Sequence, residues 1–270
     1  MLRSVLILGI LLICQAGFGQ INLIAHYPLD GNTNDIINNN HGVITGNPQY
    51  LNGVDQQGLS FDGVDDFVTV PSNPKQVLPE FSIAIWIKIP ENIENGWQAI
   101  IEHGRQTDSW YGLYKADTEK KFHFRFGNDN STSDFNSTIL PNEWYHVVCT
   151  YNGSQARMYL NGIEDKIVNN VSGLAPTPTE LSIGANMSGG EGFRGLLDDL
   201  KIYDAALTSS EVSDLYNSYT IPECISISKN TVNFDKSGGS QEITIESDLK
   251  LMAYSKIPVI LDSDANNEID

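Results

Sequence analysis

Phe81-Ser82-Ile83-Ala84-Ile85-Trp86-Ile87-Lys88-Ile89 alternates with a period of two. Phe81, Ile83, Ile85, Ile87 and Ile89 fall on one face of an extended chain, and Ser82, Ala84, Trp86 and Lys88 on the other. The stretch predicts a half-buried β-strand. The pattern returns downstream, where Lys121-Phe122-His123-Phe124-Arg125-Phe126 sends three Phe inward and His123 and Arg125 outward. Arg157-Met158-Tyr159-Leu160-Asn161-Gly162 ends in Asn-Gly, a pair that tolerates the positive φ of a tight hairpin turn. From about Ile21 to Tyr219, short runs of this kind are separated by Gly, Asn, Asp and Pro. That texture predicts an all-β fold, a two-sheet antiparallel sandwich. One helix is expected over residues 208–216, with Thr208 as N-cap and Glu211 three residues on in the capping-box pattern.

Composition narrows the function classes. The 270 residues hold 16 Lys and Arg against 34 Asp and Glu, a net charge of −18. Nucleic-acid affinity comes mainly from cations that neutralise phosphates, so a backbone-binding role is excluded. A hydrophobic content of 40% is enough for a packed core. At the N-terminus, Met1-Leu2-Arg3 precedes an apolar run from Val5 to Ile13 and the small residues Ala16-Gly17-Phe18-Gly19. The run is too short to span a bilayer, and residues 1–19 read as a secretory signal peptide. The expected location is therefore secreted or at the cell surface, extracellular or periplasmic. Downstream, Cys149 sits in an apolar strand pattern and reads as a buried thiol, with a bridge to Cys224 as the alternative.

Ordered blocks then identify a family. They are Ala25-His26-Tyr27-Pro28-Leu29-Asp30-Gly31-Asn32 with Asp35 and His41-Gly42, then Gly58-Leu59-Ser60-Phe61-Asp62-Gly63-Val64-Asp65-Asp66-Phe67-Val68, then the Phe81 strand. Trp144-Tyr145-His146-Val147 follows, and last Phe193-Arg194-Gly195-Leu196-Leu197-Asp198-Asp199-Leu200-Lys201-Ile202-Tyr203. Over residues 21–219 the chain resembles the laminin-G-like jelly-roll domains of the concanavalin A-like lectin/glucanase superfamily. The resemblance implies a structural Ca²⁺, with Asp198 as a ligand and Asp30 and Gly63 in blocks that supply further oxygens. The alternative for Asp198 is that it caps a turn or pairs with Arg194. The glucanase strand Glu-x-Asp-x-(x)-Glu is absent from residues 21–219, and Asp65-Asp66 and Asp198-Asp199 are adjacent pairs that point to opposite faces of a strand.

The tail differs in character. Residues 220–256 resemble the first strands of a BACON-type immunoglobulin-like module, or form a linker with a short β hairpin. Ile257-Pro258-Val259-Ile260-Leu261 reads as a strand that delivers Asp262 and Asp264. Residues 257–270 resemble the truncated start of a nucleoside hydrolase, whose aspartates hold Ca²⁺. An EF-hand-like loop with Asp262, Asp264 and Asn266 as oxygen donors is the competing reading.

The outward-facing candidates for ligand binding are Trp86, Trp110, Tyr111, Tyr114, His123 and Arg125, and the loop Asn95-Gly96-Trp97 adds a further Trp. Aromatic faces stack on sugar rings, while Asn, Asp and Arg satisfy hydroxyls. The expected function is a secreted, non-catalytic module stabilised by Ca²⁺ that recognises polysaccharide or an extracellular protein. The alternative is the N-terminal part of a nucleoside-hydrolase-like enzyme targeted by its jelly roll.

Overall fold

The computed structural model describes residues 21–73, 78–91, 96–104, 111–116, 120–126, 131–171 and 179–219. The chain divides into two compact units, Met1–Ile221 and Pro222–Asp270, and every described residue belongs to the first. The expected signal segment, the two tail segments with Cys224, Asp262 and Asp264, and Trp110 lie outside the described residues.

Two antiparallel sheets face each other. The first runs in the order β13 (Ile163–Asn169), β12 (Gln155–Leu160), β11 (Trp144–Tyr151), β6 (Phe81–Lys88), β15 (Arg194–Tyr203), β4 (Gln57–Asp62) and β3 (Gln49–Asn52), and β1 (Leu23–Tyr27) also pairs with β15. The second runs β10 (Ser131–Asp134), β9 (Phe122–Phe126), β8 (Tyr111–Lys115), β7 (Gln98–His103), β14 (Leu181–Ile183), β5 (Phe67–Val70) and β2 (Val43–Thr45). Asn161 and Gly162 take positive φ of 51° and 79° and close the β12–β13 hairpin, as the Asn-Gly pair predicts.

The period-two pattern sets the layers. Phe81, Ile83, Ile85 and Ile87 point between the sheets and meet Phe122 and Phe124 from β9 in one continuous core. Each such side chain contributes roughly 2 kcal/mol by leaving water. Tyr111 joins this core and stacks on Phe81 with ring centroids 4.5 Å apart. This corrects the outward orientation expected for Tyr111: residue 111 shares a face with Leu113, which is also in the core.

The outer face of the first sheet is also covered. Helix α1 (Ser209–Tyr219) lays Val212 against Ala84, Val148 and Tyr159. The expected capping box forms: the Glu211 N–H donates to Thr208 Oγ1 at 3.3 Å, and Glu211 Oε2 accepts from the Thr208 N–H at 2.7 Å. Trp86 does face away from the core, but it is only 5% exposed. Its indole packs against Tyr216, Tyr219 and His146, with centroids 5.7, 5.4 and 5.0 Å away. The correction for Trp86 is that the helix covers it.

His146 titrates abnormally in this stack. Burial, with a contribution from the Lys201 charge and opposed by Asp199, lowers its pKa from 6.5 to about 4. Between these values the unfolded chain binds a proton that the folded chain refuses, so stability falls as pH drops through that window. The full loss is roughly 3 kcal/mol. His146→Phe is expected to flatten the melting-temperature profile between pH 6.5 and pH 4. Parallel profiles for the two proteins would exclude His146 as the source.

One irregularity positions a candidate site. One edge of β15 pairs with β6, and the other pairs first with β4, through Arg194–Leu197, and then with β1, through Leu200–Tyr203. Asp198 and Asp199 fall at the changeover, where β15 bulges and Asp199 takes a φ of 48°. Beside the far end of this ladder, Asn22 and Asp204 form a clasp. The Asn22 N–H donates to Asp204 Oδ1 at 2.8 Å, Asn22 Nδ2 to Asp204 Oδ2 at 2.9 Å, and the Asp204 N–H to the Asn22 carbonyl at 3.1 Å.

Candidate functional site

The first candidate is the gap in the β15 ladder. Asp198 is fully buried. Its Oδ2 accepts from the N–H groups of Val54 and Asp55 at 2.6 and 3.1 Å, while Oδ1 has no hydrogen-bond partner among the described residues. Asp198 therefore does cap a turn, and it keeps one oxygen in reserve. The turn fits only because Gly53 lacks a side chain: a Cβ there would lie 2.4 Å from Asp198 Oδ2. Asp30 closes the other side of the same turn, with Oδ1 accepting from the Gln57 N–H at 2.8 Å. Burial pushes the Asp198 pKa up to about 7, its two backbone hydrogen bonds oppose the rise, and the charges of Asp199 and Asp30 add to it. Two carboxylates thus cap one turn, and the buried one keeps an unpartnered oxygen.

Asp199 leaves on the same outer face, against the opposite-face expectation, because the bulge breaks the alternation: Leu197 and Leu200 both enter the core, and the two aspartates lie between them. It accepts from His26, Tyr219 and Lys201, which ties the end of α1 to the sheet. Burial works against its charge, but the hydrogen bonds from His26 and Lys201 hold its pKa below the usual carboxylate range. Gly63 does not belong to this pocket. Asp62 pairs with Arg194 and Leu59 with Leu197, which puts Gly63 roughly 16 Å along the strands from Asp198. The expectation that grouped Gly63 with Asp30 and Asp198 is corrected accordingly.

Gly63 lines the second candidate, an open cleft of about 430 Å³ shared with Asp62, Val64, Trp97, Gln98, Gly192 and Arg194. The register Arg194↔Asp62 brings its two polar walls together. Gly192 packs backbone to backbone on Gly63, since a Cβ at 192 would lie 2.6 Å from the Gly63 carbonyl oxygen. Gln98 Oε1 accepts from the Arg194 N–H at 3.2 Å and fixes the cleft floor.

Trp97 is the aromatic wall, and three of the expected ligand residues pack against it. The Arg125 guanidinium lies 4.5 Å from the Trp97 ring centroid and 5.0 Å from that of Tyr114. Tyr114 and His123 meet the indole edge-on, with centroids 6.3 and 4.7 Å away. Tyr114 donates to Glu102, and His123 Nδ1 bonds Asp134 at 2.5 Å. Burial lowers the His123 pKa against the opposing pull of Asp134. His123 and Arg125 do leave the core on the outer face of the second sheet, as expected. Tyr114 and His123 are buried there as supports for Trp97, and only Arg125 and Trp97 stay half-exposed. Asp62 and Gln98 are not among the expected ligand residues, because the 62↔194 pairing and the Gln98–Arg194 hydrogen bond that bring them together join residues about a hundred or more positions apart in the chain.

A domain of the concanavalin A-like lectin/glucanases superfamily matches residues 62–213, more than half of the chain. Human usherin is 26% identical over 156 residues, which make up 54% of this chain and 3% of usherin. Mosquitocidal protein 1 of Paraclostridium bifermentans is 27% identical over 166 residues, which make up 52% of this chain and 12% of that protein. The matched segment is a small part of both relatives. Among solved structures, domain 4 of AbnA, an extracellular arabinanase from Geobacillus stearothermophilus in complex with arabinotriose, aligns with a TM-score of 0.63 at 23% identity. The alignment covers 73% of this chain and 98% of that domain. The binding domain of the mosquitocidal protein aligns with a TM-score of 0.61 at 19% identity, over 73% of this chain and 52% of that one. The structural likenesses show a shared fold. The chain belongs to the concanavalin A-like lectin/glucanases superfamily through a laminin-G-like domain.

Proposed function

We propose that this chain is an extracellular, non-catalytic binding module that holds carbohydrate in the Trp97 cleft. The observation that carries the reading is the wall itself: a half-exposed indole locked by Arg125, His123 and Tyr114 beside a polar, glycine-floored cleft. A fixed aromatic face costs little ordering entropy when a sugar ring stacks on it. Asp62 supplies acceptors and Gln98 and Arg194 supply donors for hydroxyls. The fold shared with an arabinanase domain solved with arabinotriose supports the same reading. No helix among the described residues is long and apolar enough to cross a membrane.

Ca²⁺ belongs to the proposal as a structural ion. Asp198 Oδ1 and Asp30 would hold it, since hard oxygens suit this cation and extracellular supply permits a weak site. Bound there, it neutralises the two carboxylates. The residues themselves fix the turn after β3 against the β15 bulge.

Affinity gel electrophoresis against a panel of soluble polysaccharides tests the reading. Retention of the wild type on at least one, weakened about tenfold or more in Trp97→Ala, is expected. Migration unaffected by every polysaccharide would overturn it.

A further inference from the structure

The proposed carbohydrate cleft is asymmetric in charge. Asp62 lines the cleft, and Asp65 and Asp66 each bring a carboxylate oxygen within 4.8 Å of an Asp62 oxygen and of each other. The turn fixes them. Asp66 accepts from the N–H groups of Asn47 and Asp62 at 2.7 and 3.0 Å, and Asp62 Oδ1 accepts from the Val64 N–H at 2.8 Å. Asp65 is exposed, and among the described residues none of the turn's hydrogen bonds runs through its side chain. Among the described residues Arg194 is the one cation lining the cleft, and the Arg125 guanidinium lies 4.5 Å from the Trp97 ring centroid. The surrounding chain carries a net charge of −18.

Resting on the carbohydrate-binding reading, we infer that the cleft selects uncharged sugars and rejects chains that bear carboxylate or sulfate groups, with Asp65 as a specificity-determining residue. Asp62 and its two neighbours place three negative charges beside the cleft, and one guanidinium does not offset them. A like charge a few ångströms away weakens binding about fivefold even in high dielectric, and salt screens the penalty. A neutral sugar meets none of it and keeps the stacking on Trp97 and the hydrogen bonds to Asp62, Gln98 and Arg194. Asp65 tunes this without holding the turn, so its replacement changes charge and little else.

The test compares neutral arabinan, xylan and galactan with polygalacturonate and a sulfated galactan in the same affinity gels at low salt. Wild type is expected to be retained by a neutral polymer and to be retarded several-fold less by both anionic polymers. Asp65→Asn is expected to bring retention by the anionic polymers up by about fivefold, and Asp65→Lys by more, with neutral retention unchanged in both. Wild-type retention by an anionic polymer that equals or exceeds that by the neutral ones would overturn the inference while leaving carbohydrate binding intact. Anionic retention that does not respond to either Asp65 variant would overturn the role of Asp65. Retention by no polymer at all would overturn this inference together with the reading beneath it.

Discussion

Adding Ca²⁺ at about a hundred times its Kd to EDTA-treated protein is expected to raise the melting temperature by roughly 5–10 °C. Asp198→Asn is expected to remove that response. A buried carboxylate with one oxygen unpartnered, under the field of two other aspartates, is relieved by a bound cation. The amide of the Asn variant can still accept from the Val54 and Asp55 N–H groups, so the turn survives while the negative charge is lost. Gly53→Ala provides a second variant that reaches the same site through the backbone, by driving a methyl into Asp198 Oδ2. Differential scanning calorimetry with and without EDTA reads all three proteins. Identical melts for wild type in both conditions would rule the ion out, and a Ca²⁺ response that persists in Asp198→Asn would place it elsewhere.

The second large effect is expected at Asp35, whose carboxylate organises the loop after β1. The side chain is 1% exposed, and its carboxylate accepts from four backbone N–H groups. They belong to His26, Ile37, Asn38 and Asn40, at 3.1, 3.0, 3.2 and 3.2 Å. Asp35→Ala strands several of these donors away from water. The expected loss is about 3–5 kcal/mol, or roughly 10 °C in melting temperature. Asp35→Asn should fall between the two, because its amide nitrogen turns a donor toward donors. A melt within a degree or two of wild type for Asp35→Ala would show that the loop re-forms its hydrogen bonds without the carboxylate.

The sandwich could be read from the chain because its strands announce themselves locally. Phe81 to Lys88 and Phe122 to Arg125 place their side chains on the faces that alternation dictates, and the Thr208–Glu211 box starts the helix where expected. What covers an outward face is a different question, and a strand does not encode it. Trp86 is outward but covered, because α1 comes from more than a hundred residues downstream. The assignment of Tyr111 failed for a simpler reason: a run as short as Tyr-Gly-Leu-Tyr alternates apolar residues on both faces and gives no sign of which one meets the core. The two candidate sites were legible in part. Asp198 and Asp30 could be named from family blocks, but the separation of Gly63 from them depends on the register of β4 on β15. Trp97 was visible as one more aromatic residue. Its standing as a wall comes from Arg125 and His123, which the sequence presents as binding residues in their own right.

The clasp between Asn22 and Asp204 bears on how the domain travels through evolution. Strands β1 and β15 are antiparallel neighbours, so the chain enters the sandwich and leaves its last strand at nearly the same point. A unit whose entry and exit coincide can be spliced into a surface loop of a host, or threaded between neighbours, without prising that host apart. The matched segments of usherin and of the mosquitocidal protein, which are small fractions of long chains, are what such portability allows.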